Sequence, residues 1–156
     1  MGGGGLMYWG MVMPNGLIWL KLLNGKQNAQ KYVHLMENYA VPIMKLNYIN
    51  NFYFVQDNAA IHTAKIVKDY FEKIELSSLE WPARSPDLNI MENIWKMISD
   101  QVYNSNQPKD MKELEQKVSE AVNNINHTMR DNVLNLYCGY RKRLTKVLLM
   151  SGKIIN

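Results

Sequence analysis

The sequence has a single cysteine and, in its first third, almost no acidic residues. Cys138 is the one cysteine among 156 residues, so no internal disulfide can form, and a zinc finger, which needs clustered cysteine and histidine ligands, is excluded. A lone cysteine also favours a reducing compartment. Residues 1–56 contain no aspartate and one glutamate, Glu37. This segment can therefore contribute only one side-chain carboxylate to a metal or catalytic site.

The sequence also has no uninterrupted apolar run long enough to span a membrane. The stretch from Leu6 to Leu23 approaches that length, but Pro14-Asn15-Gly16 lies in its middle and Lys21 near its end. A Pro-Asn-Gly turn between two apolar runs is typical of a β-hairpin. We therefore expect a hairpin here and no membrane association.

The composition indicates one globular domain. The chain is 47% hydrophobic and 21% charged, which fits a folded domain with a core rather than a disordered segment. The formal net charge of +4 permits nucleic-acid binding but is too small to argue for it alone.

The apolar patterns predict a mixed α/β domain. Strands are predicted at Leu6–Met13, Gly16–Leu23, Phe52–Gln56 and Leu76–Leu79. Helices are predicted at Asn28 to about Ile43, Thr63–Ile74 with Thr63 as its cap, Asn89 onward, about Lys109–Ile125, and about Asp131–Met150. The helix after Asn89 has an apolar stripe at Met91, Ile94, Trp95, Ile98 and Val102. Two of the three histidines lie outside the acidic segments discussed below: His34 falls on a predicted helix and His127 in a predicted loop.

Two acidic segments carry the chemical signal. In the first, an apolar run ends in Gln56-Asp57-Asn58, with His62 and Thr63 shortly after. In the second, Ser85-Pro86-Asp87-Leu88-Asn89 opens a helix that carries Glu92-Asn93-Ile94-Trp95 in its first turns. An acid at the end of a buried strand is held rigidly, and an acid in the first turn of a helix is favoured in its ionised form. Such carboxylates suit divalent metal ions that act on phosphodiesters.

Both segments, with 34 residues between Asp57 and Glu92, resemble the catalytic domain of the Tc/mariner superfamily of DDE transposases. The Gly2–Gly5 lead and Leu6–Gly10 are similar to its glycine-rich lead and second strand. One departure is Ile90, where the family usually has proline. The resemblance implies a ribonuclease-H-like mixed sheet flanked by helices, but lacking the first, central strand. It also implies that residues 1–156 are a truncated catalytic domain, with the core at about 6–105 and a helical part at about 109–150.

The resemblance implies roles for individual residues. Asp57 and Glu92 correspond to catalytic carboxylates that bind Mg²⁺ or Mn²⁺ in a two-metal site, which is incomplete here because the first carboxylate of the family has no counterpart. Neighbouring or DNA-contacting roles are implied for Asn58, His62, Asp87, Asn89, Arg141 and Arg143.

Structural interpretations of these residues remain open. Asp57 could cap the loop after its strand, and Glu92 could form a capping box with Asn89. Asp87 is better interpreted as a turn residue, and His62 could be a hydrogen-bonded loop histidine. The basic residues near Arg141 could be a solvated helix end or a phosphate contact.

Two functions therefore remain. The first is metal-dependent cleavage and strand transfer on double-stranded DNA, at transposon ends and target sites, in the nucleus. The second is a catalytically inactive remnant that binds nucleic acid or protein. Because the first strand is missing, we expect the chain to be a C-terminal piece of a longer transposase. We also expect marginal stability, relieved by self-association or by direct pairing of the hairpin with Phe52–Gln56.

Overall fold

The computed structural model describes residues 5–47, 52–79, 89–104 and 106–149, and beyond residue 140 it describes the side chains of Lys142 and Thr145 only. The chain divides into two compact units. Unit 1 combines residues 1–23 with residues 86–156, and unit 2 is the intervening segment 24–85.

Unit 1 begins with an antiparallel hairpin of β1, Met7–Val12, and β2, Ile18–Leu23. The turn between them is closed by the N–H of Gly16, which donates to the carbonyl of Met13 at 2.9 Å. Gly16 has φ +81°, a backbone conformation that glycine adopts without steric cost. The predicted Pro14-Asn15-Gly16 turn is therefore confirmed.

The described residues of unit 1 also form three helices: α5, Ile90–Tyr103; α6, Met111–Thr128; and α7, Arg130–Leu149. One face of the hairpin lies on α5 and α6, where Ile18 joins a buried cluster with residues from all three helices: Ile94, Ile98, Val102, Ala121, Ile125 and Val133. Met91 and Trp95 pack against this cluster, which confirms the predicted stripe of α5. Gly10 allows the close approach, because a Cβ there would lie 2.6 Å from Met91 Cε.

Unit 2 contains a short parallel sheet and four helices. Strand β3, Phe54–Val55, pairs with β4, Ser78–Leu79. The helices are α1, Ala29–Leu35; α2, Val41–Asn47; α3, Ala60–Thr63; and α4, Lys65–Lys73. The core lies between α1 and α4 and includes Tyr32, Met36, Val67 and Phe71.

A π-helical turn, Met36–Ala40, joins α1 to α2. Proline has no N–H, so Pro42 cannot donate to the Asn38 carbonyl four residues before it, and its ring crowds that carbonyl. The wider turn accommodates this, with the N–H of Val41 donating to Met36. The sequence predicted one continuous helix across this region, and the structure adds the π turn to it.

Two predictions about local structure were wrong. Thr63 does not cap α4: it ends α3, and its hydroxyl donates to the Ala59 carbonyl at 3.3 Å, while extended Ala64 precedes α4. His127 lies in the last turn of α6 rather than in a loop, and its Nδ1 lies 2.7 Å from the Asn123 carbonyl. The residues between Glu80 and Leu88, including the predicted loop with Pro82 and Pro86, lie outside the described residues.

The remaining element predictions hold within a few residues. No helix among the described residues has both the length and the apolar content needed to cross a membrane. The direct pairing of the hairpin with Phe52–Gln56 would join the two units, and it stays a prediction.

Candidate catalytic site

Asp57 lies two residues after β3, where the chain leaves the parallel sheet of unit 2. Its Oδ1 accepts a hydrogen bond from the N–H of Ala59 at 3.0 Å, a local turn that aspartate commonly forms. The side chain remains 51% exposed. The proposed loop-capping role is therefore real, but it occupies one carboxylate oxygen and leaves the group open to solvent.

His62 pairs with the same oxygen. Its Nδ1 lies 2.7 Å from Asp57 Oδ1, and its side chain is 18% exposed. An ionised carboxylate can only accept, so Nδ1 is the donor in this contact. His62 lies in the short helix α3 rather than in an irregular loop, and one turn of that helix brings its ring back onto Asp57.

Tyr32 and Gln56 of unit 2 contact His62 and so stabilise its pairing with Asp57. The hydroxyl of Tyr32, a buried residue of α1, donates to Gln56 Oε1 at 2.5 Å. Gln56 Nε2 in turn donates to the His62 carbonyl at 3.4 Å. The rings of Tyr32 and His62 lie 4.6 Å apart, centroid to centroid. Sequence patterns indicated Tyr32 only as an apolar helix position, and no local spacing links it to Gln56, which lies 24 positions away.

Glu92 lies in the first turn of α5 in unit 1 and is exposed. Asn89 is the N-cap of this helix, and its Oδ1 accepts from the N–H of Met91 at 3.1 Å. The side-chain bonds of the predicted capping box between Asn89 and Glu92 are not formed: the Asn89 side chain accepts from Met91, and Asn89 and Glu92 are joined only by the Glu92 N–H, which donates to the Asn89 carbonyl at 3.2 Å. Within unit 1, the Glu92 carboxylate makes no hydrogen bond or ion pair to any described residue, so it is available to an external ligand.

The structure brings Asp57 and His62 together within unit 2, and Glu92 lies at the start of α5 in unit 1. Asn58, next to Asp57, is exposed. Asp87 and the side chains of Arg141 and Arg143 lie outside the described residues. A shared cleft for Asp57 and Glu92 stays a prediction, because the two residues belong to different units.

A carboxylate-based metal site can be tested against the donors that are present. Over the described ranges, three or more His, Cys, Asp or Glu side chains do not gather at any one point. Asp57 and Glu92 nevertheless supply exposed oxygen donors of the kind that Mg²⁺ prefers, and magnesium commonly takes only one or two protein carboxylates. Each of the two carboxylates could therefore supply part of the ligand set of a Mg²⁺ ion.

Comparison with known proteins settles the family. The sequence profile of the DDE superfamily endonucleases matches residues 3–115 of the chain. The chain belongs to the DDE endonuclease superfamily, in its Tc/mariner branch. The match includes both acidic segments, so Asp57 and Glu92 lie within the family's endonuclease region.

A sequence relative and two solved structures define the likeness further. The Tc3 transposase of Caenorhabditis elegans is 32% identical over 157 residues, which cover 99% of this chain and 46% of that protein. The Mos1 transposase catalytic domain with raltegravir and Mg matches with a TM-score of 0.76 at 19% identity, covering 97% of this chain and 77% of that one. The Mos1 mariner paired-end complex with Mn matches with a TM-score of 0.75 at 20% identity, covering 97% and 45%.

These likenesses show the fold of this family member. The predicted ribonuclease-H-like mixed α/β class is confirmed by the match to the Mos1 catalytic domain. The chain spans about half the length of the Tc3 transposase that it matches.

Proposed function

We propose that this chain supplies the part of a Tc/mariner transposase that holds divalent metal for cutting and joining DNA. The observation that carries the proposal is the setting of Asp57, a solvent-exposed carboxylate that follows a strand and is held on one oxygen by His62 and the Ala59 N–H. Oδ2 of Asp57 makes no hydrogen bond to the described residues of unit 2. An oriented carboxylate with one free oxygen is suited to bind a cation.

Asp57 and Glu92 are the proposed ligands, and Mg²⁺ or Mn²⁺ the proposed ions. When bound, such ions activate the attacking oxygen and stabilise the leaving oxygen of a phosphodiester. His62 keeps Asp57 from rotating, and Glu92 lies exposed in the first turn of α5. The Mg and Mn in the Mos1 structures support this choice of ions.

The proposed partner is double-stranded DNA, both at transposon ends and at target sites, and the proposed compartment is the nucleus. The positive net charge of +4 is compatible with this partner, and the Mos1 paired-end complex supports it by family likeness. Contacts to DNA or to the metal ligands are proposed for Asn58, His62, Asp87, Arg141 and Arg143. Asn89 is assigned to capping α5 instead.

The isolated chain is proposed to bind metal without cleaving DNA. Residues 1–56 hold no aspartate and only Glu37 as an acid, and Glu37 lies in the π turn rather than on a strand before the hairpin. Without a third carboxylate, ions would be held weakly, in about the millimolar range. The second candidate is an inactive transposase remnant that binds nucleic acid or protein.

Binding of Mn²⁺, measured by electron paramagnetic resonance of the free ion, tests the ligand assignment. We expect weak binding that falls in Asp57→Asn and in Glu92→Gln. Asp69→Asn and Glu115→Gln are matched controls, because each removes an exposed charge from a helix of the same unit. If the control variants lose as much Mn²⁺ affinity as Asp57→Asn and Glu92→Gln, the loss comes from the change in net charge. That result would overturn the assignment of Asp57 and Glu92 as ligands.

A plasmid-nicking assay tests the proposed lack of cleavage. We expect no nicking above background by the purified chain with Mg²⁺ or Mn²⁺. Nicking that disappears in Asp57→Asn would show that the chain is an active nuclease by itself, which would remove the remnant as a candidate.

A further inference from the structure

We infer that Tyr32 is a positioning residue for the Asp57 carboxylate and acts on it through His62. This inference rests on the proposed function, because it assigns a support to the proposed metal ligand. Tyr32 lies on α1, 25 positions before Asp57 in the sequence, and it does not touch the reacting groups by itself. Two of its contacts converge on His62, one through Gln56 and one through the ring.

The first contact fixes the backbone of His62. The Tyr32 hydroxyl donates to Gln56 Oε1 at 2.5 Å, which leaves Gln56 Nε2 oriented toward the His62 carbonyl at 3.4 Å. The His62 carbonyl can only accept, so Nε2 of Gln56 faces it and Oε1 faces Tyr32, whose hydroxyl donates to that oxygen and holds the amide in place. Without the hydroxyl, the amide loses one of the two hydrogen bonds that hold it, so its bond to the His62 carbonyl is less restrained.

The second contact fixes the ring of His62. The Tyr32 and His62 rings lie 4.6 Å apart with an interplanar angle of 42°, within the usual range for attractive aromatic pairs. Tyr32 is only 4% exposed, so its ring is held by the surrounding core, and the imidazole of His62 packs against it. The imidazole can then hold Nδ1 at 2.7 Å from Asp57 Oδ1.

The consequence is a carboxylate whose free oxygen has a defined direction before any ion arrives. Asp57 is half exposed, and an exposed carboxylate on a loop would otherwise rotate. Outer partners of metal ligands commonly set their orientation, and removing a direct partner typically costs about 10–100-fold in metal affinity. Tyr32 is one step further out than His62, so its hydroxyl should matter less.

The test uses the full chain with Tyr32→Phe, which deletes the hydroxyl and keeps the ring. Tyr70→Phe is the matched control, because Tyr70 is a partly buried tyrosine of the same unit whose hydroxyl makes no hydrogen bond to the described residues there. Imidazole ¹H–¹⁵N spectra of the metal-free protein report the first effect, with His62→Ala assigning the signals. Signals of His34 and His127 serve as internal references.

We expect Tyr32→Phe to shift the His62 imidazole signals alone and to weaken Mn²⁺ binding about three- to tenfold, less than the loss for a direct partner. Tyr70→Phe should do neither. In the His62→Ala background, Tyr32→Phe should cause no further loss of Mn²⁺ affinity, because its route to Asp57 is already gone. Gln56→Met, which removes the amide and keeps the volume, should shift the same His62 signals.

Unchanged His62 signals in both Tyr32→Phe and Gln56→Met would overturn the inference. So would an undiminished effect of Tyr32→Phe in the His62→Ala background, since the residue would then act on the unit as a whole. If instead Asp57→Asn leaves Mn²⁺ binding unaltered, the proposed metal site fails, and the metal-free spectra still decide whether Tyr32 positions His62.

Discussion

The side-chain amide of Asn126 pairs with both backbone groups of Ile18. The N–H of Ile18 donates to Asn126 Oδ1 at 2.8 Å, and Asn126 Nδ2 donates to the Ile18 carbonyl at 2.9 Å. In an antiparallel strand, a residue turns both backbone groups either toward its partner strand or away from it. Asn126 on α6 therefore replaces a further strand at the outer edge of β2, and it ties the hairpin to the helices of unit 1.

Asn126→Ala should lower the free energy of unfolding by about 1–3 kcal/mol, because it leaves buried backbone groups of Ile18 without partners. Ile18 is 1% exposed, so water cannot replace the amide without rearrangement. Urea unfolding at neutral pH measures the change. Asn123→Ala, an exposed position on the same helix, is the control, and equal stability of the two variants would contradict the role assigned to Asn126.

Gly16→Ala should cost more stability than Gly25→Ala. Both glycines have positive φ, +81° and +63°, so alanine at either position costs about 1–2 kcal/mol in backbone strain. A Cβ on Gly16 would also lie 2.9 Å from Leu134 Cγ and 3.1 Å from the Arg130 carbonyl, whereas on Gly25 it would meet only Lys31 Nζ at 3.9 Å.

The difference between these two glycine variants isolates the docking of the hairpin turn against the α6–α7 junction. We expect about 1–3 kcal/mol more destabilisation for Gly16→Ala, the usual cost of overpacking, from urea unfolding curves. Equal losses would mean that the turn does not press on α7 in solution.

Alkaline pH should destabilise the fold through its tyrosines. Burial, with a smaller contribution from the Glu115 carboxylate, raises the pKa of Tyr8, and burial also raises the pKa of Tyr39 and Tyr70. The folded state therefore favours the neutral phenols. Their contribution is intact below the ordinary pKa of about 10 and is lost as pH rises beyond it.

Tyr8→Phe should reduce this alkaline loss. The buried Tyr8 hydroxyl has no hydrogen-bond partner among the described residues, so its removal should be neutral or slightly stabilising near pH 7. Unfolding free energies at about pH 8 and about pH 11 would show a smaller drop in Tyr8→Phe than in Tyr103→Phe, where an exposed tyrosine of unit 1 is replaced. Parallel drops in the two variants would exclude Tyr8 as a source.

Much of this architecture could be predicted from local patterns. The Pro14-Asn15-Gly16 turn between two apolar runs predicted the hairpin, and the apolar stripe that includes Ile94 and Ile98 predicted the buried face of α5. Asp57 and Glu92 lie where the sequence predicted, after the end of a strand and in the first turn of a helix, and their role as metal ligands stays a prediction.

The features that the sequence did not predict depend on contacts between distant residues, or on a side chain that forms one local hydrogen bond in place of another. The link from Tyr32 to Gln56 joins α1 to the residue after β3, and the Asn126–Ile18 pair spans 108 positions. No periodicity within one element encodes either contact. Thr63 had the right residue type for a cap, but its hydroxyl bonds backward to Ala59, which threonine does readily inside a helical turn.

The most direct test of a shared metal site at Asp57 and Glu92 is a crystal structure of the chain soaked in MnCl₂, with anomalous differences locating the ion. We predict a manganese cluster that both carboxylates share, with oxygens of Asp57 and Glu92 within roughly 4–8 Å of each other, a range that follows from two metals about 3.5–4 Å apart. Carboxylates on opposite faces, or a peak bound to one of them alone, would contradict the account.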